Sequence, residues 1–409
     1  MATKGTLLLL GGSRHQVVAI ETAKRLGYRT VLCDYLPDNP GQWVADAFYL
    51  KSTTDYEAML EVARRERVDG IISFGSDAAA PIAARVAEDL GLPTNPYESV
   101  LTLSEKYLVR PFMESHGFAC PGQVSFPAGD APSKVARAIE EGGLRLPVVV
   151  KPTDASGSKG VTVLRGLDEQ SLAGALKAAR AFSRNGTLVA EEYIEYGYPH
   201  LIGGDIFVAH GRVVFWGLMD CLRDAAMGGL VPVGKAYPCA LDQRRMAMVK
   251  DEVQRLVTSL SLDFGEMNAE VIVGADGRPY ILELGARAGG NMIPIQLTDI
   301  SGKDVVEASV RYAMGDGTMD VAFDGNDQAV ATCVLHSAAS GTFRGVEYAP
   351  RFRPYVYREM VYVEPGDRVE RLENGSQAFG VVFARFPDAE TMRRELACVS
   401  DNIRVLVEP

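Results

Sequence analysis

Within the first hundred residues short apolar strands alternate with helical patterns, and that alternation restricts the fold more than any other feature of the chain. Thr6–Leu10 is an apolar run of strand length, ended by Gly11-Gly12. A helical pattern over residues 15–26 follows, then a strand at Arg29–Asp34 and a short one closing at 48–50. Residues 55–67 read as helix, 69–74 as strand, and 79–90 as helix ended by Gly91. Strands joined through helices at this spacing pair in parallel, which predicts a doubly wound sheet.

Pro93, Asn95 and Pro96 then punctuate a boundary. Ser104 offers an N-cap for a helix running to Ser115, interrupted by Pro111. A smaller α+β unit occupies about 118–185, with strands at 147–151 and 161–164, a small-residue segment at 154–160 between them, and a helix at 171–183. From Thr187 strands dominate. Asp276-Gly277 lies between two of them and is a strong hairpin signal. Helices near 243–260 and 303–314 are expected to pack on this sheet. The stretch 326–409 reads as strands with one helix near 390–397. The expected units are 1–103 (α/β), 104–186 (a small lid with its linker helix), 187–325 (a central antiparallel sheet) and 326–409 (β-rich).

The formal net charge of −11 argues against a broad nucleic-acid surface. No apolar run reaches the ~18 residues of a membrane span. The start of the chain lacks the pattern of a signal peptide. The six cysteines (Cys33, Cys120, Cys221, Cys239, Cys333, Cys398) form no C-x-x-C pair, which suits reduced thiols in the cytoplasm. The five histidines form no close pair, which argues against zinc.

Two motifs are lures. Gly11-Gly12 lies between a strand and a helix, with Asp34 ending the next strand, as in a dinucleotide fold. Ser13 and Gln16 stand where the second and third glycines belong, so a tight turn is the better reading. Gly229 to Ala236 spells G-x-x-x-x-G-K, but Ala236 replaces the magnesium-holding hydroxyl, and Pro232 and Pro238 oppose a helix at the lysine.

The stronger signals are distributed. Lys151 ends a buried strand, and Ser156, Gly157, Ser158, Lys159 and Gly160 follow at once. Small residues let backbone N–H groups close over phosphates while lysines neutralise them. Glu191-Glu192-Tyr193-Ile194 ends an extended segment that could clamp an adenine with backbone groups, although by itself it reads as an amphipathic strand. Glu270 and Glu283 lie on the two arms of the Asp276-Gly277 hairpin, which can place them side by side on one face. Two such acids repel unless a cation sits between them; oxygen ligands and phosphates point to Mg²⁺, with Mn²⁺ as an acceptable substitute. Arg287 follows four residues after Glu283.

In this order, a lysine segment, a strand–Lys–Gly-rich loop, an E-E-Y-I hinge and two hairpin acids followed by Arg, the chain resembles the ATP-grasp superfamily over about 1–315. It is most similar to carbamoyl phosphate synthetase, biotin carboxylase, glycinamide ribonucleotide synthetase and bacterial L-amino acid ligases. The resemblance implies an N-terminal doubly wound domain, a small lid and a central antiparallel sheet, with ATP between the last two. It implies that Lys106 and Lys151 contact phosphates and that 156–160 is the mobile loop, Lys159 adding a charge. It assigns Glu191, Glu192 and Ile194 to the adenine hinge, with the Glu192 and Ile194 backbone reading the base. His200 falls at a ribose position. Glu270 and Glu283 match the magnesium carboxylates, Arg287 the arginine facing the transferred phosphoryl, and Lys235 a position that is basic in some members. The family's E-x-N-x-R departs here at Gly285, leaving a water or Asn291 to supply the third metal ligand.

The resemblance implies an ATP- and Mg²⁺-dependent carboxylate–amine (or thiol) ligase that forms an acyl phosphate and releases ADP and phosphate. Its partners would be small-molecule carboxylates and amines, and a homodimer is compatible with it. Three alternatives stand beside it: a carboxylase of the same fold using bicarbonate, an NAD(P)-binding oxidoreductase built on residues 1–100, and a non-catalytic nucleotide-binding subunit. Arg14, Ser76, Asp77, Asp220, Arg223 and the C-terminal region are candidate substrate contacts, each with an ordinary surface or capping role as an at least equal reading.

Overall fold

The computed structural model describes residues 4–155, 157–195, 201–223 and 231–408. The N-terminal unit runs β1 (Thr6–Leu10), α1 (Val17–Arg25), β2 (Arg29–Asp34), β3 (Ala47–Leu50), α2 (Tyr56–Glu66), β4 (Gly70–Ile72) and α3 (Ala80–Asp89). Its strands pair in parallel in the order β3-β2-β1-β4, the doubly wound arrangement that the alternation predicts. Leu7 to Leu10 are all buried, each leucine contributing about 2 kcal/mol of transfer free energy. Leu7, Leu9, Ile20 and Phe74 share a core with Ala288, Val306 and Val310, so this unit is anchored to the central region by apolar packing.

The linker holds two helices, α4 (Tyr97–Ser104) and α5 (Lys106–Ser115), where the sequence suggests one. Ser104 is not the expected N-cap: its Oγ donates to the Val100 carbonyl at 2.9 Å, closing α4, and the extended Glu105 separates the helices. The second helix continues through Pro111.

The smaller α+β unit comprises β5 (Gln123–Pro127), α6 (Pro132–Glu141), β6 (Val148–Pro152), β7 (Thr162–Leu164), α7 (Glu169–Arg180) and β8 (Thr187–Glu192), the last of which the sequence reading assigns to the central sheet. Its antiparallel sheet has the order β5-β8-β6-β7. Val135 and Ile139 of α6 and Leu172 and Leu176 of α7 cover Val148, Val150 and Leu188.

The central region continues with β9 (Leu201–Ala209), β10 (Arg212–Arg223), β11 (Pro232–Tyr237), α8 (Gln243–Ser259), β12 (Phe264–Val273), β13 (Pro279–Gly285), α9 (Ile293–Ser301) and α10 (Val305–Ala313). Then come β14 (Ala329–Leu335), β15 (Gly341–Tyr348), β16 (Val356–Val361), β17 (Arg368–Val369), β18 (Gly380–Phe386), α11 (Ala389–Leu396), α12 (Val399–Asn402) and β19 (Ile403–Glu408). One antiparallel sheet, ordered β13-β12-β9-β10-β11-β14-β18-β16, therefore runs across residue 325. Val249, Val253 and Leu256 of α8 pack on one face; Leu297 and Ile300 of α9 pack on the other. The strands β17, β15 and β19 form a separate small sheet. Among the described residues no helix is long and apolar enough to cross a membrane.

Candidate functional site

The hairpin β12–β13 sets the register of the site. Glu270 pairs directly with Glu283, so both side chains leave the same face. Glu270 accepts from the Arg223 Nη2 at 2.7 Å. Burial pushes its carboxyl up, but Arg223 and Lys235 outweigh that and hold it below the usual range. Glu283 goes the other way. Burial pushes it up; Lys106 opposes this, while Asp77 and Glu270 add to it. Protein cations thus prevail over burial at one acid of the pair and not at the other, and the groups both present are oxygens. That donor set fits a hard divalent cation such as Mg²⁺. Among the described residues no cluster of three or more His, Cys, Asp or Glu stands ready to enclose a metal, so an ion here would complete its shell with water and ligand oxygens.

Arg287 lies just beyond β13. Its Nε and Nη2 donate to the two oxygens of Asp77 at 2.7 and 2.6 Å, and its Nη1 donates to the Ala288 carbonyl at 3.0 Å. Nη2 is 3.6 Å from Glu283. Burial opposes the charge, yet the bidentate Asp77 more than restores it, so Arg287 is a fixed cation. Gly285 makes this possible: a Cβ there would lie 2.9 Å from Asp77 Oδ1 and 3.3 Å from the guanidinium. The departure from the family pattern is therefore matched by a carboxylate reaching in from the N-terminal unit.

Two lysines approach from the lid side. Lys106 opens α5; its Nζ donates to the Ala155 carbonyl at 3.1 Å. Lys151, on β6, is ion-paired to Glu191 on β8, whose other oxygen takes the Nε of Arg110 at 3.0 Å. Arg110 also donates to the Ile281 and Leu282 carbonyls at 2.9 and 2.8 Å, tying the lid to β13. Burial works against the Glu191 charge, but Arg110 and Lys151 overcome it and hold the carboxyl at about 2. The Glu191 side chain is thus committed to these cations. Glu192 accepts from Arg145 at 3.0 Å, and its N–H donates to the Gly122 carbonyl.

Lys106, Lys151, Gly157, Ser158, Lys159, Glu191, Glu192, Ile194, Lys235, Glu270, Glu283 and Arg287 all line one cavity of about 810 Å³. Gly160 does not: at φ +68° it lies against α7, where a Cβ would come within 2.9 Å of Ala178 and Ala179, so its smallness serves packing. Ser156 and His200 lie outside the described residues. Lys235 is buried, its Nζ 2.8 Å from the Cys221 Sγ. Gly234, Lys235 and Ala236 sit within β11, so no helix starts there.

The remaining wall comes from both ends of the chain: Ser13, Arg14 and His15 from one, Tyr362, Gly375 and Phe379 from the other. Burial, then Arg287, pushes His15 down to about 4, so its ring is neutral. The Gly375 N–H donates to the Gly157 carbonyl at 3.1 Å, joining the C-terminal region to the glycine-rich loop. Asp220 is spent on Ala240 N–H and the Cys239 thiol. The Gly11-Gly12 turn is filled: Cβ atoms there would meet Gln16 and Asn39 at 2.3 and 2.2 Å, and Asp34 accepts the Gly12 N–H at 2.7 Å. Arg110 escaped the sequence reading, since nothing local distinguishes it from another helix arginine.

Residues 20–94 match the family described as ATP-grasp N-terminal domain, and residues 116–319 match carbamoyl-phosphate synthase L chain, ATP binding domain. The chain belongs to the ATP-grasp superfamily. It is 31% identical over 194 residues to a formate-dependent phosphoribosylglycinamide formyltransferase of Haloquadratum walsbyi, covering 47% of each chain. The chain spans about half the length of the curated relatives it matches. Among solved structures, an L-amino acid ligase from Bacillus licheniformis superposes with a TM-score of 0.79 at 19% identity over the full length of both chains. Phosphoribosylglycinamide synthetase from Anaerococcus prevotii gives 0.71 at 19% identity, covering 99% of this chain and 100% of that one. At these identities the structural likenesses establish the fold.

Proposed function

We propose that this chain binds ATP with Mg²⁺ in the 810 Å³ cavity and activates a carboxylate as an acyl phosphate, which an amine or thiol then captures with release of ADP and phosphate. The observation that carries this reading is the convergence of Lys106, Lys151 and Arg287 with the opposed Glu270–Glu283 pair on one cavity wall. A carboxylate approaching a triphosphate brings negative groups together, and fixed cations lower that repulsion where charge develops. Glu270 and Glu283 would hold Mg²⁺, which supplies charge neutralisation and in-line orientation of the phosphates. Lys106 and Lys151 bind the phosphate chain. Arg287, oriented by Asp77, faces the transferred phosphoryl. The backbone at Glu192 and Ile194 receives the adenine. Gly157, Ser158 and Lys159 close over the triphosphate and keep water from the acyl phosphate. The sequence relatives and the structural neighbours carry the names of different enzymes, so small carboxylates and amines are the class to search.

The test is a screen for ADP release with Mg·ATP over pairs of amino acids and small carboxylates, bicarbonate included, run beside calorimetry with Mg·ATP. Binding in the micromolar range with acid-dependent ADP release is expected. Absence of any Mg·ATP binding heat would overturn the reading.

A further inference from the structure

The turn that carries Arg287 and Asn291 into the cavity rests on two buried acids for which the proposed reaction has no use. Asp205 on β9 is 1% exposed, and Glu266 on β12 is 6% exposed. Asp205 Oδ1 accepts the Asn268 Nδ2 at 2.7 Å and its Oδ2 accepts the Gly289 N–H at 2.9 Å. The Asn268 N–H in turn donates to the Arg287 carbonyl at 3.0 Å. The turn is thereby fixed at 287 and at 289 from the same strand pair. Gly289 is needed for this approach: a Cβ would lie 2.6 Å from Asp205 Oδ1 and 2.8 Å from the Asn268 amide.

Glu266 lies against Asp205, its Oε2 2.8 Å from the Ser309 Oγ, and no donor reaches its Oε1 among the described residues. The Ser309 hydroxyl is also 2.9 Å from the Val305 carbonyl, and one hydroxyl hydrogen cannot serve two acceptors. A proton on Glu266 Oε2 donates to the Ser309 Oγ and leaves the hydroxyl hydrogen for Val305; it also makes Oε1 a neutral carbonyl oxygen and removes the repulsion between the carboxyls. Burial and Asp205 push Glu266 well up, consistent with this, and Asp304 adds to the effect; burial raises Asp205 too, against the opposing hydrogen bonds from Asn268 and Gly289 and the charge of Arg287.

We propose that Asp205, braced by a neutral Glu266, is a positioning residue that holds the 287–291 turn and thereby aims Arg287 at the transferred phosphoryl. The proposal rests on the reading of Arg287 given above. Both Asp205 oxygens face N–H donors, so an amide at 205 must turn an NH₂ against one of them. Glu266 needs only a neutral carboxyl, which glutamine imitates.

Four variants test this: Asp205→Asn, Gly289→Ala, Glu266→Gln and Arg287→Ala. The probes are MgADP alone and MgADP with aluminium fluoride, a mimic of the phosphoryl in flight, together with hydrogen exchange over 287–291. The unaltered protein should bind the fluoride complex on the order of 100-fold more tightly than MgADP. Asp205→Asn and Gly289→Ala should lose most of that gain, keep the MgADP affinity, and speed exchange at 287–291 about tenfold. Glu266→Gln should keep both properties. Full retention of the gain and of protection in Asp205→Asn would overturn the proposal, as would equal losses in Glu266→Gln. Gly289→Ala reads the same contact should Asp205→Asn not fold. If Arg287→Ala keeps the gain, the role of Arg287 fails, and the exchange data still decide whether Asp205 holds the turn.

Discussion

Glu270 and Glu283 stand directly opposite each other on neighbouring strands, and their surroundings drive the two carboxyls in opposite directions. Arg223 and Lys235 overcome burial at Glu270, whereas burial prevails at Glu283. A protein with no use for a cation there would gain by replacing Glu283 with a neutral residue. Glu283→Gln should therefore leave the melting temperature unchanged or raise it, while lowering ATP turnover on the order of 100-fold or more. Turnover near normal at ordinary Mg²⁺ would make these acids a mere feature of the sheet face.

The Asp77–Arg287 fork and the bare Cα of Gly285 form a matched set. Gly285→Ala should destabilise the protein by about 1–3 kcal/mol, because the new methyl meets a buried ion pair. In an Asp77→Gly background the same change should be close to neutral. Denaturant titration of the four proteins reads the coupling; additive effects would show that Gly285 answers to something else.

The buried Glu191 takes one cation on each oxygen, Lys151 and Arg110. Its carboxyl titrates at about 2 in the folded protein, against an ordinary value of 4.5. A lowered folded value means that its contribution is complete above pH 4.5 and is lost as pH falls toward 2. Glu191→Gln should cost about 3–5 kcal/mol at neutral pH, since it strands two buried cations. It should also flatten the decline in stability below pH 4.5. Urea midpoints measured from pH 7 to pH 3 check both.

How much of this was legible in the sequence depended on the distance over which each feature is specified. The Asp276-Gly277 turn fixes the β12–β13 register locally, so the opposition of Glu270 and Glu283 follows from residues within one hairpin. The alternating pattern of residues 1–100 likewise carried the parallel sheet. The Asp77–Arg287 contact spans 210 residues and has no local signature; it explains Gly285, which the sequence shows only as a departure. The joining of β14, β18 and β16 to the central sheet depends on pairing between remote strands, which alternation alone leaves open. Ser104 misled because a serine before a helical pattern caps its start as readily as it bonds back to the preceding turn.

The Gly375–Gly157 hydrogen bond links the glycine-rich loop to the C-terminal region. Residues 157–160 should exchange amide hydrogens more slowly once a non-hydrolysable ATP analogue and Mg²⁺ are added, as lysine and backbone contacts to the triphosphate form. Mass-spectrometric exchange with and without the analogue reads this directly. Equal protection in the two states would mean that these residues are not a lid.

The central claim concerns where ATP is attacked. Lys106, Lys151 and Arg287 gather on the wall that holds the Glu270–Glu283 pair, an arrangement suited to charge developing at the terminal phosphorus. With the acid found by the ADP screen, and hydroxylamine supplied in place of the amine, a hydroxamate should accumulate in step with ADP, mole for mole. Formation of AMP and pyrophosphate instead would contradict the account, even with Mg·ATP binding intact.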